Sequence, residues 1–499
     1  MNTFMNGLQA TTNFCTTENG ALAHKSTLSK LYDMFAFGGA YRSRSDEDCI
    51  LLFKNAYLEN PTYALKCLFY IGDVRGGQGE RRFFRVCYKW LAQNYPEAAL
   101  RNLELIPEYK RWDDVLYVCA GTPCETAALE FVKGQLYLDL QSLTPSLCAK
   151  WMPSENASSI ATKKMATKLR EYMGMTHKDY RKMLSLLRAH INILERLMSE
   201  GRWDEIEFDK IPSKAGLKYR NAFAHKEVTA ARYAAFMNSK ETKVNASTLY
   251  PYEIVKSAIG CVAPWGRTDN SDRAAINKYW ENQKDYLNGQ PCKMMCVCDT
   301  SASMRSGMAG AAPIDVAIGL SMYCAERIGG PFKDHYISFS RNPRLVNIEG
   351  TDFVDKVKRI YGANLCENTD LVKTFNLLKQ ISLMANPEDR PDTLVVISDM
   401  EIDKGSCSSY WSARDGWTPE NTLTEMEKVR LDWAAAGLEM PKLVYWNVDA
   451  RQDRILDLGP NVSFVSGCSP VTFESIVSGK SGMDLMFDKL DSARYEAIR

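Results

Sequence analysis

From about Leu28 to Met237 the apolar residues recur at three- and four-residue spacing, and strand-like alternation is scarce, which predicts a helical module. The clearest stripe runs over 178–199. Tyr180, Met183, Leu184, Leu187, Ile191, Leu194 and Met198 share one face; Lys178, Lys182 and Arg196 lie on another, with Arg181 and Arg188 beside them. Segments 46–58, 61–71, 80–94 and 124–139 read the same way, punctuated by Asn60-Pro61, Gly76-Gly77, Tyr95-Pro96 and Ile106-Pro107. The expectation is a stack of HEAT-like helical hairpins, although no clean internal sequence repeat runs through it. Residues 238–290 are broken by Pro251, Pro264 and Gly266 and read as a junction with one helix near 271–286. Residues 1–25, polar and rich in Thr and Asn, read as an extended or poorly ordered lead-in.

From about residue 291 the pattern changes. Short apolar strands are expected at 293–298, 333–340, 343–348, 393–398, 443–448 and 461–466, and helices at 311–328, 353–361, 370–384, 424–437 and 471–478. Strands alternating with helices imply a doubly wound, mostly parallel sheet with ligands at the carboxyl ends of its strands. The fold class is therefore α + α/β: a lead-in over 1–25, a helical repeat module with its junction over 26–290, and an α/β domain with a C-terminal helix over 291–499.

Composition adds little to that division and charge adds more. At 499 residues, 45% hydrophobic and 25% charged, the chain has material for more than one core. Its net charge of +1 hides an asymmetry: residues 1–290 carry about +7 and 291–499 about −6, with about +8 in 161–240 alone. An anionic partner would meet a local basic patch. The 15 cysteines include no C-x-x-C pair and read as reduced, mostly buried thiols. No secretory leader and no 18-residue apolar run is visible, so a soluble cytoplasmic protein with no membrane partner is expected.

Directly after the first α/β strand comes Asp299-Thr300-Ser301-Ala302-Ser303. A tight loop can turn these three alternate side chains to one point, supplying one carboxylate and two hydroxyls. Mg²⁺, or another divalent cation such as Mn²⁺, favours such hard oxygen ligands with few carboxylates and retained waters. Thr369 precedes a predicted helix and Asp399 ends the strand TLVVIS, both at the same sheet edge. The alternative for Asp and Ser here is helix capping. A phosphoryl-transfer aspartate loop would want Asp at position 301, and a nucleophile elbow needs G-x-S-x-G; this segment has neither. The order Asp299, Ser301, Ser303, Thr369, Asp399 resembles the metal-ion-dependent adhesion site of von Willebrand factor A domains.

A wider resemblance rests on TENGALAHKSTLSKLYDMFAFGGAYR at 17–42, YIGDVRGGQGERRFFR at 70–85, RWDDVLYV at 111–118 and KIPSKAGLKYRNAFAH at 210–225. In the second half it rests on CDTSASM, PIDVAIGLSMYCAERIGG and ISDMEID. Together these strings resemble an uncharacterised family that pairs a TROVE-like helical module with a von Willebrand A domain. Its architecture is similar to that of the Ro ribonucleoprotein autoantigen. The resemblance implies a ring or horseshoe of helices joined to the A domain, binding small non-coding or misfolded RNA.

The residues give that implication independent footing. Lys163, Lys164, Lys168 and Arg170 cluster; Arg181, Lys182 and Arg188 follow, then Lys214, Lys218, Arg220 and Lys226. Tyr180, Tyr219 and Phe223 are interleaved and could stack on bases. Arg75, Arg81, Arg82 and Arg85 flank Gly76-Gly77-Gln78-Gly79, which lacks the Gly-Lys-Ser/Thr of a P-loop and reads as a turn unless its amides hold a phosphate. The bland alternative is a solvated basic face paired with Glu80, Asp179, Glu195 and the acidic run from Asp204 to Asp209. Trp112-Asp113-Asp114 reads as a helix start, because neighbouring helical residues point apart. The expectation is a non-enzymatic RNA-binding scaffold with a metal site. The alternatives are a metal-dependent scaffold that docks an acidic protein, whose side chain completes the metal shell, and a metal-dependent hydrolase.

Overall fold

The computed structural model describes residues 12–191, 193–262, 270–289, 292–305, 312–339, 343–363, 370–402 and 423–499. The helical module follows its sequence pattern closely: Asp46–Glu59, Pro61–Gly72, Arg81–Asn94 and Glu125–Gln141 are all helices. Their starts are set locally. Ser45 and Asn60 accept from the backbone amides of Asp48 and Tyr63, and Pro61 occupies the first turn of its helix. Helices Lys30–Phe37, Asp46–Glu59, Pro61–Gly72 and Arg81–Asn94 pack successively on one another.

Two expectations need correction here. The stripe at 178–199 is not one helix: it divides into His177–His190 and Leu194–Ser199. The Ile191 amide turns back to the Leu187 carbonyl, and a second short helix starts at Leu194. A single apolar stripe can be shared by two helices when both face the same core. The junction helix is also shorter than expected, ending at Glu281, and is preceded by another, Pro251–Val262.

The second part is a six-stranded sheet. Its strands are β3 (Met294–Asp299), β4 (His335–Phe339), β5 (Arg344–Asn347), β6 (Thr393–Ser398), β7 (Lys442–Asn447) and β8 (Val462–Ser466); β1 (Phe14–Thr16) and β2 (Leu22–His24) form a separate N-terminal hairpin. The order is β5-β4-β3-β6-β7-β8, parallel throughout except for β5, which runs antiparallel to β4. Helix Pro313–Arg327 packs on β3, β4 and β6 and is buried from Pro313 to Ala325 except at Asp315. That explains its nearly uniform apolar sequence. The chain steps outward from β3 to β4 and β5, then returns to place β6 on the other side of β3. The carboxyl ends of β3 and β6 therefore flank the point where strand order reverses.

The N-terminal segment also differs from its expectation. Phe14–Thr16 (β1) and Leu22–His24 (β2) form an antiparallel hairpin that docks on the sheet domain. His24 exchanges both backbone hydrogen bonds with Ile455, at 2.8 and 3.0 Å, and its Nε2 lies 2.8 Å from Glu427. Beyond it, the Phe464 amide donates to the Tyr32 hydroxyl and the Gly39 amide to Ser466 Oγ. A Cβ on Gly39 would lie 2.8 Å from that Oγ, so only glycine permits this approach. At its other end the module returns to the sheet domain. Arg273 pairs with Asp352 at 2.7 Å, and Trp280 stacks on Phe353 with centroids 4.0 Å apart. The Tyr250 hydroxyl donates to the Gln78 carbonyl, so the module's last segment meets its first helices. No helix among the described residues is long and apolar enough to cross a membrane.

Candidate functional sites

The carboxyl edge of the sheet brings together four of the five predicted metal ligands. Asp299 is fully buried; its Oδ1 accepts from the Ser301 amide at 2.9 Å and its Oδ2 from the Ser398 hydroxyl at 2.6 Å. Ser301 Oγ and Ser303 Oγ lie 2.9 Å apart. Asp399 follows β6, equally buried, and its Oδ1 accepts from the Glu401 amide at 3.2 Å. Met400 between them has φ +64°, a left-handed conformation costly for a side-chain-bearing residue, which turns the chain sharply at the strand end. Burial, followed by the nearby Asp399 charge, pushes the Asp299 carboxyl up to about 7. Thr369, the fifth predicted ligand, lies outside the described residues. Asp370 next to it caps helix Leu371–Met384 through the Lys373 amide. Two buried carboxylates and two hydroxyls form an all-oxygen donor set that suits a hard divalent cation.

Sequence reasoning missed a participant at this edge. Arg451, from the loop after β7, donates through Nη2 to Asp399 Oδ2 at 2.5 Å and to the Ser303 carbonyl at 3.0 Å. The signal was its position: Asp449-Ala450-Arg451 follows a strand whose carboxyl end faces the same edge. Around it, Glu401 Oε2 accepts from the Glu18 amide, and Thr17 Oγ1 donates to the Ile402 carbonyl, so the hairpin tip lies against this edge. Burial, with help from Glu18 and Asp399, also pushes Glu401 up to about 7. Among the described residues, no group of three or more His, Cys, Asp or Glu side chains forms a metal-ligand set, and the described cysteines are free.

The second candidate is a cavity of about 1400 Å³ lined entirely by the helical module, from Gly72 round to Thr248. Its lining carries ten basic side chains against four acidic ones. Of the predicted RNA-binding residues, Arg75, Arg81, Tyr180, Arg181, Arg188, Lys214, Lys218 and Tyr219 line it, Lys214 paired with Glu253. The others do not. Arg82 pairs with Asp46, Lys168 with Glu125, Arg170 with Glu155, and Arg220 with Asp272. Lys163, Lys164 and Lys182 are exposed elsewhere, and Lys226 lies over Trp203. Arg188 is spent on structure, donating to the carbonyls of Ala149 and Met152 and to Ser154 Oγ. Tyr180 and Phe223 are fully buried core rings, whereas Trp112, Trp151 and Tyr219 remain half-buried. Missed by sequence reasoning, Arg111 stacks over Trp151 at 4.0 Å on the cavity wall.

Asp113 and Asp114 do not point apart as expected. Both accept from Arg81 and Arg85, and Arg111 joins Asp113, so two carboxylates hold three guanidiniums. The long arginines reach both acids, which a rule about neighbouring Cβ directions cannot foresee. The glycine loop is a turn. The amides of Arg75 and Gly76 are taken by the Asp73 carboxylate, that of Gln78 by the Tyr70 carbonyl and that of Gly79 by the Asp73 carbonyl.

The profile described as Domain of unknown function (DUF2828) matches residues 17–115 and 137–302, more than half of the chain. The chain belongs to the DUF2828 family. A second profile, Domain of unknown function (DUF7788), matches residues 293–486. The DUF2828 match runs from the hairpin tip through Asp299 and Ser301, so it contains part of both candidate sites. The chain is 27% identical to uncharacterized protein L728 of Acanthamoeba polyphaga mimivirus over 490 residues, 90% of this chain and 81% of that protein. Among solved structures it is similar to the RO (RSR) protein of Deinococcus radiodurans. That likeness is 13% identical with a TM-score of 0.41, over 95% of this chain and 100% of the other.

Proposed function

We propose that this protein is a non-enzymatic, Ro-like RNA-binding scaffold whose helical module takes RNA and whose sheet domain, of von Willebrand A type, carries a Mg²⁺ or Mn²⁺ site. The observation that carries the RNA reading is the cavity wall. Among the described residues, Arg75, Lys150, Arg181 and Lys218 line it without a carboxylate partner. Trp112, Trp151 and Tyr219 offer faces between these charges. Unpaired cations favour phosphates, and half-buried rings favour unstacked bases. Filter binding of a small structured RNA tests the reading. Arg181→Glu with Lys218→Glu lowers affinity by about tenfold or more if it is right. Affinity equal to that of a neutral control protein overturns it.

The metal reading is supported by the donor set at the strand-order reversal. Asp299, Ser301, Ser303 and Asp399 would hold the ion, with Thr369 proposed as the fifth ligand. When bound, the ion supplies a fixed positive charge with coordination positions left for water or an acidic side chain of a partner protein. The chain's own residues position those oxygens: Ser398 orients Asp299, and the turn at Met400 aims Asp399. Binding to the folded state raises the melting temperature by linkage. Asp299→Ala abolishes the Mg²⁺-dependent gain; an identical gain in the variant would sink the assignment. The acidic-protein reading shares this site and predicts a partner lost on chelation but retained after nuclease treatment.

A further inference from the structure

Arg451 joins several charged groups at the sheet edge. Its guanidinium touches the loops after both β3 and β6, through the Ser303 carbonyl at 3.0 Å and Asp399 Oδ2 at 2.5 Å. On its other side, Nη1 lies 3.5 Å from Glu18 Oε2 at the hairpin tip, and Nε lies 3.9 Å from Asp449 Oδ2. Asp399 is fully buried, whereas the Glu18 side chain is 41% exposed. Nε itself is buried with no hydrogen-bond partner among the described residues, which leave the guanidinium incompletely satisfied where it stands. A buried carboxylate without a counter-charge is costly, and Arg451 supplies that charge to Asp399.

A divalent ion held by Asp299 and Asp399 would sit against this guanidinium. Like charges at that separation repel, most strongly where water is excluded. Arg451 would then have to leave Asp399, and its two other carboxylate neighbours are already within a short side-chain movement. We propose that Arg451 is a tethered cation that neutralises Asp399 in the resting protein and passes to Glu18 and Asp449 when a divalent cation binds, so that cation binding is felt at the N-terminal hairpin. This inference rests on the metal reading above. It goes beyond that reading by assigning the chain its own competitor for the site and a receiver for the displaced charge. The receiver matters because Glu18 belongs to the segment whose Thr17 and Asn19 also bond to residues 401–402. A stronger Arg451–Glu18 pair would tighten that contact.

The test is Mn²⁺ affinity of the full chain by titration calorimetry, with hydrogen exchange of residues 17–24 as a second readout. Arg451→Gln removes the competitor and tightens Mn²⁺ binding by about tenfold. Glu18→Gln removes a receiver and weakens it severalfold. In the double variant the Glu18 effect disappears, because Glu18 acts through Arg451. In the wild type, Mn²⁺ slows exchange at the hairpin. Equal affinity of wild type and Arg451→Gln overturns the tethered-cation inference while leaving the metal site standing. Absence of Mn²⁺ binding in both folded proteins overturns the metal reading and this inference with it. If Arg451→Gln does not fold, the surface change Glu18→Gln decides alone: unchanged Mn²⁺ affinity overturns the hand-over.

Discussion

Single residues at both sites are held by backbone geometry that tolerates little change. Gly77 is the sharpest case. A Cβ there would lie 1.9 Å from the Tyr70 carbonyl oxygen, at the end of helix Pro61–Gly72. That oxygen already accepts from the Gln78 amide, and Gln78 in turn reaches Thr472 of the sheet domain at 3.0 Å. Gly77→Ala must therefore open the turn, and a cost of about 3 kcal/mol or more is expected. Chemical denaturation of the purified variant checks this; a loss under about 1 kcal/mol would show that the turn relaxes freely. The same reasoning explains why Gly76-Gly77-Gln78-Gly79 looked ambiguous in the sequence. Glycines that admit a phosphate and glycines that admit a neighbouring carbonyl leave the same letters. Only the position of the Tyr70 carbonyl separates the two.

Among whole elements, the end of helix Pro61–Gly72 carries a buried amine. Lys110 Nζ donates to the Gly72 carbonyl and lies 4.8 Å from the centre of the Phe84 ring. Burial pulls its pKa down to about 7, although Asp114, Glu80 and Asp73 favour the charged form. A lysine with a depressed folded value binds fewer protons than the unfolded chain, where it titrates near 10.4. Stability from this group therefore rises with pH from about 7 to about 10 and is at its lowest below 7. Melting scans between pH 7 and pH 9 should show this rise in the wild type, and Lys110→Met should flatten it. A parallel rise in both proteins would place the titration elsewhere. The N-terminal hairpin is the second element that matters. Its residues Thr17 to Gly20 read as polar lead-in because a short, half-buried strand pair has no periodic signal of its own. Ile455, Glu401 and Glu427 lie more than 370 residues away in sequence and give it its partners.

Across the whole molecule, the helical module starts and ends on the sheet domain and encloses a cavity rich in cations. Among the described residues, Arg75, Lys150, Arg181 and Lys218 line it without a carboxylate partner, and so do Lys110 and Arg188, whose donors are taken by backbone carbonyls, so the proposed RNA complex has a defined electrostatic signature. Neutralising about four phosphates of a single strand gives a slope near −3 for log affinity against log salt. Charge reversal at Arg181 and Lys218 should reduce that slope by about half as well as weaken binding. A slope near zero in the wild type would remove phosphate recognition from the account. The basic residues on the outer faces, Lys163, Lys164 and Lys182, should contribute little to this slope, because they do not line the cavity.

What could be read from the chain alone is uneven for physical reasons. Periodicity fixes helices and strands because it reports which side faces apolar surroundings, and the six strands and five helices expected after residue 291 are helices and strands in the structure. That Asp299, Ser301, Ser303 and Asp399 lie at one sheet edge was legible because strand ends and tight turns are local features. The sequence could not say which arginines are occupied. Arg170, Arg188 and Arg220 look like Arg181 in one dimension, and they differ only in what the folded chain sets beside them. Nor could it bring Arg451 to Asp399, or Glu18 to Arg451, since long-range charge pairing is decided by the order of the strands and the docking of the hairpin. Local sequence settled the elements; tertiary packing decided which charges were left to bind something else.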